Sequence, residues 1–281
     1  MTPLKFKMTH DLLFKMLFVK YPDLLRKLVA VLLDISYDSI TKFTIANPEI
    51  PPEMLGDKFC RLDINMVVNG QRVDLEVQVE NEGNYPERSL FIWAKEYSTG
   101  IGMGENYKNL PRTIVISILG FNQFADKEKY HHEFGCLEVT AHAPLTDKMA
   151  LHFYELKKLP PLAENDKTNG KDLWLKLFRA ETEEDLAAIE KLEVPEMSEA
   201  LQAYRHVAAS DEFKEKERMW AKARHDEAQA LYNAERKRDE HWQGVIAEVV
   251  AEKDAVLADK DSENADLRAQ LEALRKQIGT I

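Results

Sequence analysis

The feature that most constrains this chain is a pair of alternating stretches joined by Asn69-Gly70, within the run from Arg61 to Glu80. Both central positions of a two-residue type I′ turn need a positive φ, which Asn and Gly adopt more readily than other residues. Apolar and polar residues alternate on both sides of the turn, as they do in half-buried strands. We therefore predict a β-hairpin in which Val68 lies opposite Gln71.

The predicted register determines which side chains meet across the hairpin. Counted outward from the turn, Asp63 lies opposite Glu76 in a non-hydrogen-bonded pair, whose Cα atoms are about 4.5 Å apart. Two carboxylates in such a pair repel each other, so a shared proton or a bound divalent cation should offset the repulsion. A solvated acidic face on an exposed hairpin is the alternative interpretation. The face that carries the pair also carries Asn65, Asp74, Gln78 and Glu80.

Composition limits the class of protein. The 281 residues, 44% hydrophobic and 31% charged, suffice for one sizeable core with an appendage. A formal net charge of −11 argues against a generic nucleic-acid coat protein but is compatible with a local basic groove. Cys60 and Cys136 form no CxxC pair, which favours a reducing compartment over a zinc knuckle. Because no apolar run approaches about 18 residues, we expect a soluble, cytoplasmic protein.

Periodicity predicts that helices and strands alternate along the chain. A helix is expected to begin after Thr9, with Asp11 in its first turn, and a second helix to begin at Pro22. A helix with a frayed end is predicted from Tyr85 to Tyr107. The β-branched run Thr113 to Leu119 is typical of a strand buried on both faces. Further strands are predicted at 42–46, 135–141 and 149–156, and further helices at 173–178, 184–192 and 198–208.

The C-terminal segment has a seven-residue repeat that is typical of a coiled coil. Asn264 at an a position resembles the device that fixes register and dimeric state. We expect a homodimer formed through this segment, with a flexible join near Gly244. A single amphipathic helix docked on its own domain is the alternative. The a positions are Val250, Leu257, Asn264, Leu271 and Ile278, and the d positions are Ile246, Lys253, Lys260, Leu267, Leu274 and Ile281.

Several motifs, taken in order, resemble one nuclease family. Asp63, followed after twelve residues by Glu76-Val77-Gln78, is similar to the PD-(D/E)xK nuclease signature with glutamine in place of lysine. Together with the flanking segments it resembles the Rpn family of recombination-promoting nucleases, which are also described as transposases. The resemblance covers roughly residues 8–125 and continues more loosely through 199–234. The flanking segments are Thr9–Phe18, Phe59–Asp63, Glu87–Lys95, Gly104–Tyr107 and Ile114–Ile118.

The resemblance implies an architecture for the whole chain. We expect an α/β fold with a restriction-endonuclease-like mixed sheet flanked by helices, followed by a long helical and coiled-coil C-terminal tail. The nuclease-like domain is expected in residues 1–210, with its core at about 8–158 and a helical extension at 173–210. Residues 211–281 are expected to form the long helix and the coiled coil.

The resemblance also implies a metal-dependent DNA endonuclease. Asp63 and Glu76 would hold Mg²⁺ or Mn²⁺, which suit carboxylate oxygens, and the backbone carbonyl of Val77 would complete the ligand shell. Gln78 would take the catalytic position of the lysine, where it can orient water and donate a hydrogen bond but carries no charge. Lys15 on the first helix and Lys95 on the helix after the hairpin could supply the missing positive charge, although an ordinary solvated lysine is the commoner case for each. Asp11 is a candidate for an extra acidic contact, with a favourable charge in the first turn of its helix as the alternative.

A non-enzymatic function is the main alternative. The chain would then be a catalytically impaired nuclease-fold protein that acts as a coiled-coil interaction or regulatory module. The intact Asp63 and Glu76 favour the enzyme, whereas the missing lysine favours the alternative. The run His131-His132-Glu133 is a weak metal-binding signal, because neighbouring strand residues point to opposite faces, and we expect a surface loop there.

Overall fold

A computed structural model of the protein describes residues 2–47 and 63–278. These residues divide into two units, one ending at Trp220 and the other beginning at Ala221. Some positions used in the sequence analysis lie outside the described residues, namely the segment 59–62 with Cys60, and Ile281.

The first unit is built around a mixed sheet of six strands. The strands are β1 Phe43–Ile45, β2 Ile64–Val68, β3 Gln71–Gln78, β4 Thr113–Leu119, β5 His131–Leu137 and β6 Pro144–Glu155. Their order across the sheet is β1-β2-β3-β4-β6-β5. The pairs β3–β4 and β4–β6 are parallel, and the other neighbours are antiparallel. The predicted mixed sheet with flanking helices, typical of a restriction-endonuclease-like fold, is therefore confirmed.

Helices cover both faces of this sheet. The helices of the described residues are α1 Asp11–Lys20, α2 Pro22–Leu32, α3 Tyr85–Ser98, α4 Gly170–Arg179, α5 Glu183–Glu190, α6 Pro195–Ala209 and α7 Asp211–Ile278. The larger core lies on the face that carries Leu75 and Ile116, together with α1, α2, α4, α5 and α6. The smaller core lies on the opposite face, where Tyr85 of α3 packs with Val115 and Phe153. Strand β4 is buried at every position because both of its faces are covered, as its sequence predicts.

The hairpin that connects β2 and β3 has the predicted register. Val68 lies opposite Gln71 and Asn65 lies opposite Asp74. The turn residues have positive φ, 50° at Asn69 and 81° at Gly70. Asn69 also joins the turn to the segment before β1: its Oδ1 accepts hydrogen bonds from the main-chain N–H groups of residues 41 and 42 at 2.9 and 3.0 Å, and its Nδ2 donates to the carbonyl of residue 39 at 2.7 Å.

Replacing Asn69 should therefore destabilise the hairpin in two separable ways. Asn69→Gly keeps the positive φ but removes the side-chain hydrogen bonds, which should cost about 1–2 kcal/mol of unfolding free energy. Asn69→Ala also lacks the tolerance of the left-handed region that the short polar side chain of asparagine provides, so its total cost should be about 2–3 kcal/mol. Urea denaturation of the two variants measures both effects. A glycine variant as stable as the wild type would contradict the role assigned to the hydrogen bonds.

Two local predictions were wrong. The helix expected to reach Tyr107 ends at Ser98, and a separate 3-10 turn covers residues 107–109. Gly104 between them has a φ of 83°, which no right-handed helix can include. The surface loop expected at residues 131–133 is instead the beginning of edge strand β5. Alternate residues there face opposite sides, since His131 stacks on Tyr154 whereas His132 packs on Phe124.

The last helix begins in the first unit and continues through the second. Phe213 and Trp220 belong to the larger core, and the domain boundary predicted at residue 210 falls one residue before this helix begins. The helix passes through Gly244, where a flexible join was expected. A single glycine inside a helix costs about 1 kcal/mol relative to alanine, which long flanking helical segments tolerate. Among the described helices, none is both long enough and apolar enough to cross a membrane.

Candidate metal centre

Three carboxylates meet where β2 begins and β3 ends. Asp63 directly precedes β2, and Asp74 and Glu76 lie two residues apart on β3, so all three share one face of the hairpin. Each offers an oxygen atom, and the three oxygens lie within 4.8 Å of one another. The intervening Leu75 and the following Val77 belong to the larger core on the opposite face. This alternation turns the acidic residues toward α3.

Asp74 is the most deeply placed of the three carboxylates. Only 2% of the residue is exposed, and neither Oδ atom accepts a hydrogen bond from any of the described residues. Burial raises the pKa of Asp74 well above its ordinary value, and the neighbouring carboxylates of Glu76 and Asp63 raise it further. A buried carboxylate without a donor or a cation is costly. A divalent cation would relieve both the burial and the repulsion, and an all-oxygen donor set suits a hard ion such as Mg²⁺ or Mn²⁺.

Glu76 is held by two neighbouring side chains. Its Oε2 accepts hydrogen bonds from Gln78 Nε2 at 3.0 Å and from Arg88 Nη2 at 3.3 Å. Arg88 lies on α3, and its Nη1 donates to Gln78 Oε1 at 3.1 Å. The guanidinium therefore contacts both the carboxylate and the glutamine that stands at the lysine position.

Lys15 approaches the same centre from α1. Only 1% of this residue is exposed, and its Nζ donates to the main-chain carbonyl of Asp63 at 2.6 Å. Asn47 Nδ2 donates to the same carbonyl at 3.1 Å. The position of Asp63 is thus fixed from two directions, and Lys15 brings a positive charge next to the acidic residues.

The remaining predicted site residues lie elsewhere. Lys95 is on the exposed side of α3. Asp11 is the first residue of α1. It does not belong to the cluster of three carboxylates that could hold a metal ion among the described residues. Val77 lies between Glu76 and Gln78 with its side chain in the larger core. Its backbone carbonyl as a metal ligand stays a prediction.

A buried tyrosine fixes the beginning of α3 beside the centre. Tyr85 donates a hydrogen bond to Ser117 Oγ of β4 at 2.9 Å. Burial raises the pKa of Tyr85, and the nearby charge of Glu76 adds to the increase, so the phenol stays neutral. The guanidinium carbon of Arg88 lies 5.6 Å from the centre of the Tyr85 ring, within cation–π range. Tyr85 therefore helps to hold Arg88 over the carboxylates.

Two residues of this centre were missed by the sequence analysis, Asp74 and Arg88. Asp74 was assigned to the correct face, and its position two residues before Glu76 was the signal for a third ligand. Arg88 belongs to the helical face formed by Tyr85, Ser89 and Ile92, whose spacing i, i+3, i+4, i+7 predicts the side that packs on the sheet. An arginine on that buried face was the signal for a charge partner.

A histidine pair lies on the opposite face of the sheet. His131 Nε2 and His152 Nδ1 are 3.1 Å apart, and His131 stacks on Tyr154 of the larger core. Burial lowers the pKa of each histidine to about 4, so both are neutral near pH 7. His132 points to the other side, where its Nε2 lies 3.2 Å from Glu155. The pair is separate from the acidic centre.

Comparison with known protein families assigns residues 8–234 to the PD-(D/E)XK nuclease family transposases. No curated protein and no solved structure gave a significant match. The matched segment is most of the chain and includes the acidic centre together with α3. The family resemblance found in the sequence is thereby confirmed, and the chain belongs to the PD-(D/E)XK nuclease family transposases.

Proposed function

We propose that this protein is a metal-dependent DNA endonuclease that hydrolyses phosphodiester bonds. The observation that carries the proposal is the buried carboxylate of Asp74, which has no hydrogen-bond donor within residues 2–47 and 63–278 and lies in an oxygen cluster with Asp63 and Glu76. Such a cluster is unfavourable without a cation and becomes favourable with one. Family membership supports a nuclease as the class of enzyme.

Asp63, Asp74 and Glu76 would hold the Mg²⁺ or Mn²⁺ ion, and the Val77 carbonyl stays a proposed additional ligand. When bound, the ion supplies Lewis-acid charge to the attacked phosphate and lowers the pKa of a coordinated water. The protein's own contribution is to position these groups. Lys15 fixes the main chain at Asp63, whereas Gln78 orients the carboxylate of Glu76.

The three accessory residues differ in how each could contribute to the reaction. Lys15 is buried next to Asp63, so its charge acts on the centre itself. Lys95 is exposed on α3 and is better suited to contact the DNA backbone than the acidic centre. Asp11 is proposed only as a weak accessory group, because its position in the first turn of α1 already gives it a favourable interaction with the helix dipole.

A plasmid assay tests the proposed function. Purified full-length protein is incubated with supercoiled plasmid in Mg²⁺, in Mn²⁺ and in EDTA, beside the Asp63→Ala variant. We expect nicked or linear plasmid only when a divalent ion and Asp63 are both present. Intact plasmid in every lane, from a protein that is folded, would contradict the proposal. If that protein still binds Mn²⁺, the result would favour an impaired nuclease fold that acts as an interaction module.

We further propose that the protein acts as a homodimer joined through the C-terminal helix. The heptad residues Val250, Leu257 and Leu271 are each about half exposed in the single chain, at 50%, 58% and 55%. Such a row of apolar residues is suited to pair with the same row in a second copy. Two active centres held together would let the enzyme cut both strands of a duplex.

Deleting residues 245–281 should therefore lower the oligomeric state, because the deletion removes the a and d positions from Ile246 onward. Light scattering of the full-length and shortened proteins at micromolar concentration measures this change, and Mn²⁺ binding should be retained. Asn264→Leu is the complementary variant. It should stabilise the tail but make the number of associated chains less specific. A monomeric full-length protein would contradict the dimer.

A further inference from the structure

Arg88 occupies an unusual position for a helix residue next to an acidic centre. It reaches from α3 to β3, its side chain is only 12% exposed, and it contacts Glu76 and Gln78 at the same time. The structure thus places a guanidinium group from α3 next to the glutamine that stands at the lysine position of the family signature on β3.

The contact with Arg88 determines the orientation of the Gln78 amide. Because a guanidinium group has only donors, the amide oxygen must face Arg88. The amide nitrogen then faces Glu76, to which it donates at 3.0 Å. Gln78 therefore presents N–H groups to the acidic side of the centre. A lysine, which also has only donors, would present N–H groups in the same direction.

We propose that Arg88 and Gln78 together replace the lysine of the PD-(D/E)xK signature. Gln78 supplies the donor, and Arg88 supplies the positive charge and holds the amide in the orientation that donates. Arg88 is thus a positioning residue that acts through Gln78 and Glu76. This inference rests on the proposed endonuclease function and deepens it, since it assigns the charge that glutamine lacks.

The charge of Arg88 has opposite consequences for metal binding and for reaction rate. Its guanidinium competes with a cation for Glu76, so removing it should strengthen the binding of Mn²⁺. The same removal releases the Gln78 amide and withdraws positive charge from the phosphate that is attacked, so the rate should decrease. A residue that only maintained the structure of the centre would weaken both properties when it was replaced.

The test compares Arg88→Ala, Arg88→Lys and the double variant Gln78→Lys/Arg88→Ala, all as full-length proteins. For Arg88→Ala we expect plasmid cleavage to slow by about 100-fold, while Mn²⁺ binding measured by electron paramagnetic resonance becomes about 3- to 10-fold tighter. Arg88→Lys should retain part of the rate. The double variant restores a lysine to the signature position and should cleave plasmid at least about ten times faster than Arg88→Ala.

The test needs a control arginine variant and a check that every variant is folded. Arg205→Ala removes an exposed arginine paired with Glu190 and should change neither rate nor Mn²⁺ affinity. Circular dichroism and thermal unfolding establish that every variant is folded. The inference is overturned if Arg88→Ala binds Mn²⁺ no more tightly than the wild type, or if the double variant is no faster than Arg88→Ala. A wild type that binds Mn²⁺ but cleaves no DNA refutes the proposed function instead, and the affinity comparison still tests the charge of Arg88.

Discussion

Replacing Glu76 by glutamine is expected to slow Mg²⁺-dependent plasmid cleavage by about a thousandfold or more. The substitution preserves size and hydrogen-bonding capacity, so α3 and β3 should remain in place. It removes one of the three negative charges that would bind the cation. Single-turnover cleavage measured over a range of Mg²⁺ concentrations separates a loss of metal binding from a loss of rate at saturation.

Glu80→Gln is the matched control for this variant. Glu80 lies four residues beyond Glu76, about 13 Å along an extended chain, and it is exposed. At that distance it cannot share a cation with Asp63, so the same chemical change should leave cleavage unaltered. Equal losses in the two variants would indicate a general effect of negative charge and would contradict a specific role for Glu76.

Replacing Asp74 by asparagine should stabilise the metal-free protein and remove its response to metal. Because burial raises the pKa of Asp74 in the folded state, its contribution to stability is greatest below the unfolded pKa and is lost as pH rises through the folded value. Asparagine carries no charge, so at pH 8 in EDTA the variant should gain about 1–3 kcal/mol. Mg²⁺ should raise the melting temperature of the wild type by mass action and leave that of the variant unchanged.

Asp166 is a buried aspartate that should respond in the opposite sense. Its carboxylate accepts from Lys176 Nζ at 2.5 Å and from the main-chain N–H of residue 163 at 2.7 Å. Asp166→Asn leaves the buried ammonium of Lys176 without its counter-ion and should cost about 3–5 kcal/mol. If Asp74→Asn were destabilising to a similar extent, the Asp74 carboxylate would have a partner, and the metal site would lose its main support.

The hairpin was predictable because its signal is local. Asn69-Gly70 determines a turn type, the turn determines the register, and the register puts Asp63 and Glu76 on one face. The β-branched run of β4 was equally informative, since a short run with so few polar residues and so many β-branched ones is typical of a strand covered on both faces. These features depend on neighbouring residues in the chain, so tertiary contacts do not alter them.

The charge partners of the centre were less predictable because they come from distant segments. Lys15 and Lys95 are both lysines on helices, and only the packing of α1 against the sheet buries one while the other stays exposed. The spacing along α3 indicates that Arg88 lies on the buried side of that helix. It does not indicate which side chains of β3 the arginine contacts, because that depends on how the helix packs on the sheet.

The beginning of edge strand β5 was not predictable from the sequence, for a different reason. His131, His132 and Glu133 are polar, and a polar run at a sheet edge resembles a loop when periodicity is the main criterion. In the fold, this run pairs with β6. Successive residues of the run point to opposite faces of the sheet and contact different side chains there. Strand formation there depends on the partner strand rather than on the composition of the run itself.

The central claim is that Asp63, Asp74 and Glu76 form a divalent metal centre, and crystals soaked in Mn²⁺ test it most directly. An anomalous difference map is predicted to show a peak bonded to carboxylate oxygens of Asp74 and Glu76, at about 2.0–2.3 Å. The peak should be absent from crystals of the Asp74→Asn variant soaked in the same way. A map with no peak between these carboxylates, at a Mn²⁺ concentration that supports DNA cleavage, would contradict the account.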